Sequence, residues 1–441
     1  MTMLPLTLHT PLSGVRISSV VPAEKTGDDD ADHPITNMGL ALKLHYIRGV
    51  YFFSAEAVEG LTIYDLKKPM FPWLALFYTA SGRIRRSETG RPFIKCNDGG
   101  VRIVEAHCEK TIEELLLARN NDHHFSVDSF LAHDQVLGPD LGFSPLVYIQ
   151  FTWFKCGGMS VGLSWAHVLG DPFSASTFIN MWGQSMKGHV PSKSLPLPRP
   201  KKPEFPLSTI IKEPFSLKRV DPVGDYWLTT NNCKMETHYF HFTGKQLDDI
   251  VSNISSLVQP VKISHFEVIS AMIWKSLSKV RGDSGPRIVT FCTRISRTSE
   301  TDENEVPSNK IVFSIARTDI NPAKGDLQEL AALIAEKQEE ENSLIEETIE
   351  SGKGEYMVYG TNLTFVNLEQ ADIYGLELKG HKPVFAYYTI KGVGDEGAVL
   401  VLPRKGNGSD KRGAGRTVNV ILPENQLAGL KNELRKEWGI V

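Results

Sequence analysis

His167 and Asp171 stand four positions apart in the run SWAHVLGD, between an apolar stretch and a helical one. An imidazole there has the proton affinity to deprotonate an alcohol or amine near neutral pH, acting as a general base. The same H-x-x-x-D spacing recurs at His124 and Asp128, in HHFSVD, so surroundings rather than spacing must select between the two. Without further context His167 reads first as a buried histidine satisfied by neighbouring backbone. Asp171 reads as a helix N-cap, with Pro172 as first helical residue. One carboxylate could both cap that helix and meet a cation.

The elements that must hold these residues alternate along the chain. PLVYIQFTWFK is too β-branched and aromatic to prefer helix, and CGGMSVGLSWA follows it as a second strand after a Gly157–Gly158 turn. Ala175, Phe178, Ile179, Trp182 and Met186 fall on one face of the helix opened by Pro172. Upstream, VRISSVVP and VYFF read as strands, and TIEELLLARN as a helix capped by Thr111. PFIKCND and VRIVEA flank Asn97–Gly100 as a hairpin. Downstream, YWLTTNNCK, THYFHFTG, IVTFCTRISR, KIVFSIAR, TNLTFVNL, PVFAYYTI, GAVLVLP and RTVNVILP read as strands. HFEVISAMIWKSLSKV and a final PENQLAGLKNELRKEW read as helices, and DLQELAALIAEKQEEENSLIEETIE as a single long one. This interleaving predicts an α/β protein with mixed sheets. Six prolines between 191 and 206 forbid helix and central strand, so the chain divides into 1–190, a crossover at 191–222, and 223–441.

The 441 residues are 41% hydrophobic and 23% charged, enough to build two cores. A net charge of -4, with basic clusters only in KKP (201–203) and RKGNGSDKR (404–412), argues against a nucleic-acid partner. Five cysteines, with no C-x-x-C, suit a reducing compartment and imply neither metal nor disulfide framework; Cys156 reads as a small core residue. No run approaches the roughly 20 apolar residues of a membrane span, and the N-terminus lacks a signal-peptide pattern.

Taken in order, SGRI, PFIKCNDGGVRIVEA, PLVYIQFTWFKCGG, HVLGD and the arginine of CTRISR resemble the plant BAHD acyltransferases over nearly the whole chain. LKLHYIRGVYFF, LGPDLGFSPLV, GLSWAHVLGDPFSASTF and NLTFVNL resemble one clade within them. That clade comprises the Eceriferum and Glossy proteins, which support very-long-chain fatty acid elongation for cuticular wax. The resemblance implies a two-domain, chloramphenicol-acetyltransferase-like fold with an active-site channel at the domain interface. It implies His167 as the base that lets an acceptor attack an acyl-CoA thioester, with no metal, no tightly bound cofactor and no covalent intermediate. Asp171 is then structural, paired with Arg294 across the interface.

Two departures from the family pattern bear on activity. Pro172 replaces the usual glycine after the aspartate, and the family's DFGWG is matched to Val384, Phe385, Ala386, Tyr387 and Tyr388. The loss of a carboxylate and two glycines implies a different backbone there. Two functions therefore stand. One is an accessory protein, monomeric and peripheral at the cytoplasmic face of the endoplasmic reticulum, acting with a 3-ketoacyl-CoA synthase. The other is an acyl-CoA-dependent O- or N-acyltransferase.

Overall fold

Period-two alternation of large apolar residues builds two mixed sheets in the computed structural model. It describes residues 12–120, 127–132, 141–189, 213–255, 262–294, 307–404 and 415–440. The first sheet runs, in spatial order, Leu12–Val20, Val101–Cys108, Val147–Phe154, Met159–Ala166, Tyr46–Phe53 and Phe385–Lys391. Only its second and third strands are parallel. The second sheet runs Met235–Phe242, Arg416–Pro423, Ala398–Pro403, Leu363–Asn367, Ile288–Arg294, Ile311–Arg317 and Glu339–Glu340, with a parallel centre.

The alternation sends the side chains of the central strands of the second sheet to two cores. Val289, Phe291, Phe365, Val399 and Val420 pack under the helices His265–Arg281, Leu327–Glu336 and Glu424–Trp438. Cys292, Val366, Leu400 and Ile421 face the other way, into a larger core shared with the first half of the chain. That core contains Trp165, Phe178 and Trp182 from the histidine-bearing strand and the helix Pro172–Met186. Phe385–Lys391, from late in the chain, closes the first sheet by pairing with Tyr46–Phe53 along its whole length. The two sheets therefore do not separate at a single point in the sequence.

Four sequence expectations are corrected. PFIK and VRIVEA do not form a hairpin: Pro92–Lys95 pairs with Arg83–Arg86 and Asp32–Pro34, while Val101–Cys108 enters the first sheet. The turn between them is pulled open by its own partners. Asp98, at φ 53°, accepts from Thr26 N–H (2.9 Å) and Oγ1 (2.6 Å), and the Arg83 guanidinium donates to the Gly99 and Gly100 carbonyls. YWLTTNNCK is not a strand; Trp227 sits at φ 46°, and Asn231 and Asn232 donate to Val393 O and Asp395. The long helix is two helices, Leu327–Glu336 and Asn342–Glu350.

Polar side chains break that helix. Asn342 Oδ1 accepts from Phe313 N–H (2.7 Å) and its Nδ2 donates to Ile311 O, while the buried Glu341 carboxylate accepts from Phe215 and Ser216 N–H. Cys156 is also corrected, since it is exposed beside the Gly157–Gly158 turn. The proline-rich stretch 191–206, His123, His124, and residues 405–412 of the second basic run lie outside the described residues. No helix among the described residues is long and apolar enough to cross a membrane.

Glu341 anchors the chain where it re-enters after the crossover, so its loss should be felt globally. Glu341→Ala strands one buried and one half-buried N–H donor, at Ser216 and Phe215, which should lower unfolding free energy by about 1–3 kcal/mol in urea titration. An unchanged midpoint would show that the two donors find other partners.

Candidate functional site

The strand Met159–Ala166 delivers His167 into the tight turn His167–Leu169, and Asp171 then caps the following helix. Ser174 N–H donates to Asp171 Oδ1 at 2.9 Å, and Pro172 occupies the first helical turn, where no N–H is needed. His167 N–H donates to His45 O at 3.2 Å. Both His167 and Asp171 are buried, with His167 at 0% exposure.

The second half of the chain grips this loop through Ser308, Asn309 and Lys310. Asp171 N–H and Ser174 Oγ donate to Ser308 O, and Ser308 N–H donates back to Ser174 Oγ at 3.1 Å. Lys310 N–H donates to Asp171 Oδ2 at 3.0 Å, and Asn309 Nδ2 donates to His167 O at 3.0 Å. Beside the Asp171–Arg294 pairing that the resemblance implies, backbone groups thus bridge the two segments. Arg294 packs its guanidinium 5.0 Å from the Phe173 ring centroid and reaches Asp171 through its charge. Burial raises the Asp171 pKa, and the Ser174 and Lys310 N–H groups and Arg294 pull against that rise.

The imidazole tautomer follows from the same bonds. Because Asn309 gives its amide nitrogen to the His167 carbonyl, its oxygen faces the ring, 3.0 Å from Nδ1. Nδ1 must therefore carry the proton, leaving Nε2 as a bare acceptor. Tyr359 Oη lies 3.0 Å from Nε2. Burial pushes the Tyr359 pKa well above 10.0, so the phenol stays neutral and donates. Burial also lowers the His167 pKa to about 4, and burial plus the charge of His167 takes neighbouring His45 to about 3. The ring is held in the tautomer a base requires, with its lone pair already occupied.

Asn309 and Tyr359 were not singled out from sequence; they lie 142 and 192 positions from His167. Of the second H-x-x-x-D pattern, Asp128 pairs with Arg48 at 3.0 Å. The segment Val384–Tyr388 is strand from Phe385 onward rather than an open loop. Phe385 and Tyr387 face one side, where Tyr387 Oη donates to Asn419 Oδ1. Tyr388 faces the other, its hydroxyl 2.5 Å from that of Tyr51. A Cβ on Gly49 would come within 3.0 Å of the Tyr388 ring, so that glycine makes room for it. A hollow of about 380 Å³ lies at Ser54, Ile112, Leu116, Leu117, Cys156 and Val384, none of them a hydrogen-bond partner of His167.

The profile of the Transferase family matches residues 14–437. Protein ECERIFERUM 2 of Arabidopsis thaliana is 43% identical over 441 residues, spanning 96% of this chain and 98% of that one. Vinorine synthase superposes with a TM-score of 0.70 at 17% identity, over 96% of this chain and 97% of its own. F. graminearum TRI101, solved with ethyl coenzyme A, gives 0.71 at 15% identity, over 92% and 98%. The fold implied by the sequence resemblance is the fold found.

Two depressed histidines make the protein acid-sensitive in a defined window. Below about pH 6.5 the unfolded chain binds protons at His45 and His167 that the folded chain refuses, so stability falls as pH falls toward 4. Each contributes a slope of about 1.4 kcal/mol per pH unit. Urea unfolding at several pH values between 7 and 4.5 should show a shallower slope in His167→Gln than in the unmodified chain. Equal slopes would mean His167 titrates normally.

Proposed function

The chain belongs to the Transferase family, the BAHD acyltransferases, and from that premise we propose that it supports very-long-chain fatty acid elongation for cuticular wax. It does so as an accessory of an elongase condensing enzyme, a 3-ketoacyl-CoA synthase. The clade resemblance supplies the pathway. One observation carries the accessory role: both ring nitrogens of His167 are spent on internal partners, Asn309 and Tyr359, and the ring is fully buried. An acceptor reaching Nε2 must first displace the Tyr359 hydroxyl. The strand at Phe385–Lys391, where the family motif was matched, adds a packed wall rather than a glycine loop.

In this reading the units 1–190 and 223–441, joined by 191–222, form a shaped body that alters the product range of its partner. An acyl-CoA is its proposed ligand, and TRI101, which shares the fold, was solved with a coenzyme A derivative. The partner sets the location, peripheral at the cytoplasmic face of the endoplasmic reticulum. A second reading, acyl-CoA-dependent O- or N-acyl transfer, is favoured by the tautomer: Nε2 is bare of its own proton, as a general base must be.

Co-expression in yeast with a condensing enzyme separates the two. An accessory protein carrying His167→Ala should still lengthen the fatty acid profile, because no proton passes through that ring. Acyl transfer would instead lose about 10²–10⁴-fold of its effect. A folded His167→Ala protein with no lengthening of the profile would sink the accessory reading.

A further inference from the structure

Tyr359, His167 and Asn309 form a linear hydrogen-bonded series: Tyr359 O–H to Nε2, Nδ1–H to Asn309 Oδ1, and Asn309 Nδ2–H back to the His167 carbonyl. A hydroxyl donating to a general base, with that base oriented by an amide, is the arrangement an acceptor alcohol adopts when it is about to be deprotonated. Here the hydroxyl belongs to the protein. Its position is set from the backbone: Tyr359 N–H donates to His45 Nε2, and Gly394 N–H donates to Tyr359 O at 2.9 Å. The next residue, Gly360, has φ 81° and lies so close to Gly394 that a Cβ would meet Gly394 N at 2.3 Å. The ring itself is wedged edge-on against His45, with centroids 4.8 Å apart, and against Phe313 at 6.1 Å. Such a phenol is fixed by its surroundings on every side and does not swing away without moving the turn that carries it.

We propose that Tyr359 stands in the place of the acceptor and keeps a competent base latent. This rests on the accessory reading and adds what that reading leaves open, the residue that silences the site. Removing the phenol frees Nε2 and leaves room for water. A water molecule then gives a proton to Nε2 while its oxygen bonds to the thioester carbonyl carbon of an acyl-CoA. The tetrahedral oxyanion collapses, the C–S bond breaks, and the proton on Nε2 passes to the departing thiolate. The products are a fatty acid and CoA-SH, with nothing oxidised or reduced.

The test uses the full-length protein with palmitoyl-CoA as probe and thiol release as readout. The unmodified chain should be silent. Tyr359→Ala should release CoA, about 10²–10⁴-fold faster than Tyr359→Ala/His167→Ala. Folded Tyr359→Ala that is no faster than the double variant overturns the inference and leaves the accessory reading standing. Release by the unmodified chain that His167→Ala removes overturns the accessory reading, and this inference with it. Should Tyr359→Ala not fold, Tyr359→Phe decides by nitrogen NMR. The His167 Nε2 resonance should shift when its donor is deleted, and an unmoved resonance overturns the placement of the phenol on Nε2.

Discussion

Six hydrogen bonds between the His167–Ser174 segment and Ser308–Lys310 hold the molecule's two halves in register. They exist because a loop carrying a histidine, an aspartate and several backbone groups has been taken largely out of water. Each buried donor and acceptor must then find a partner, and an unmet one costs about 1–3 kcal/mol. The partner segment leads directly into strand Ile311–Arg317, so the second sheet cannot slide against the first without stranding several of these groups together. Gly170 records how tight the fit is, since a Cβ there would meet Ser308 N at 2.9 Å.

Much of this clamp is built from backbone donors around one carboxylate. Asp171 is stabilised by N–H dipoles at the start of its own helix and by Lys310, with Arg294 contributing charge from beside Phe173. Backbone donors are already ordered, so their use costs less side-chain entropy than a guanidinium fork. The same economy governs the histidine. One asparagine sets its tautomer and ties down its carbonyl, doing with a neutral side chain what other nucleophilic sites assign to a carboxylate.

Local features were legible in the sequence wherever neighbours along the chain decide them. The strand–His167–Asp171–Pro172 helix order and the Thr111 cap are of that kind. The reading failed where distant side chains intervene. Asn97–Gly100 has sound hairpin chemistry, but Thr26 and Arg83 recruit the turn for another purpose. Glu341 stands in a run of three consecutive glutamates and looks solvated until Phe215 and Ser216 approach it. Asn309 and Tyr359 carry no local signature at all, because one asparagine before a strand and one tyrosine before a glycine are unremarkable. Their roles come only from the arrival of His167.

The late strand Phe385–Lys391 has a consequence for how the protein is made. During synthesis the five earlier strands of the first sheet emerge long before this one, which pairs with residues more than 330 positions upstream. Until then Tyr46–Phe53 presents an unpaired, strongly apolar edge, the kind of surface on which nascent chains associate wrongly. The first sheet therefore stays open at this edge until residues 385–391 have been made. Contacts of such long sequence separation slow folding through loop-closure entropy, and an edge left open meanwhile favours wrong association between new chains.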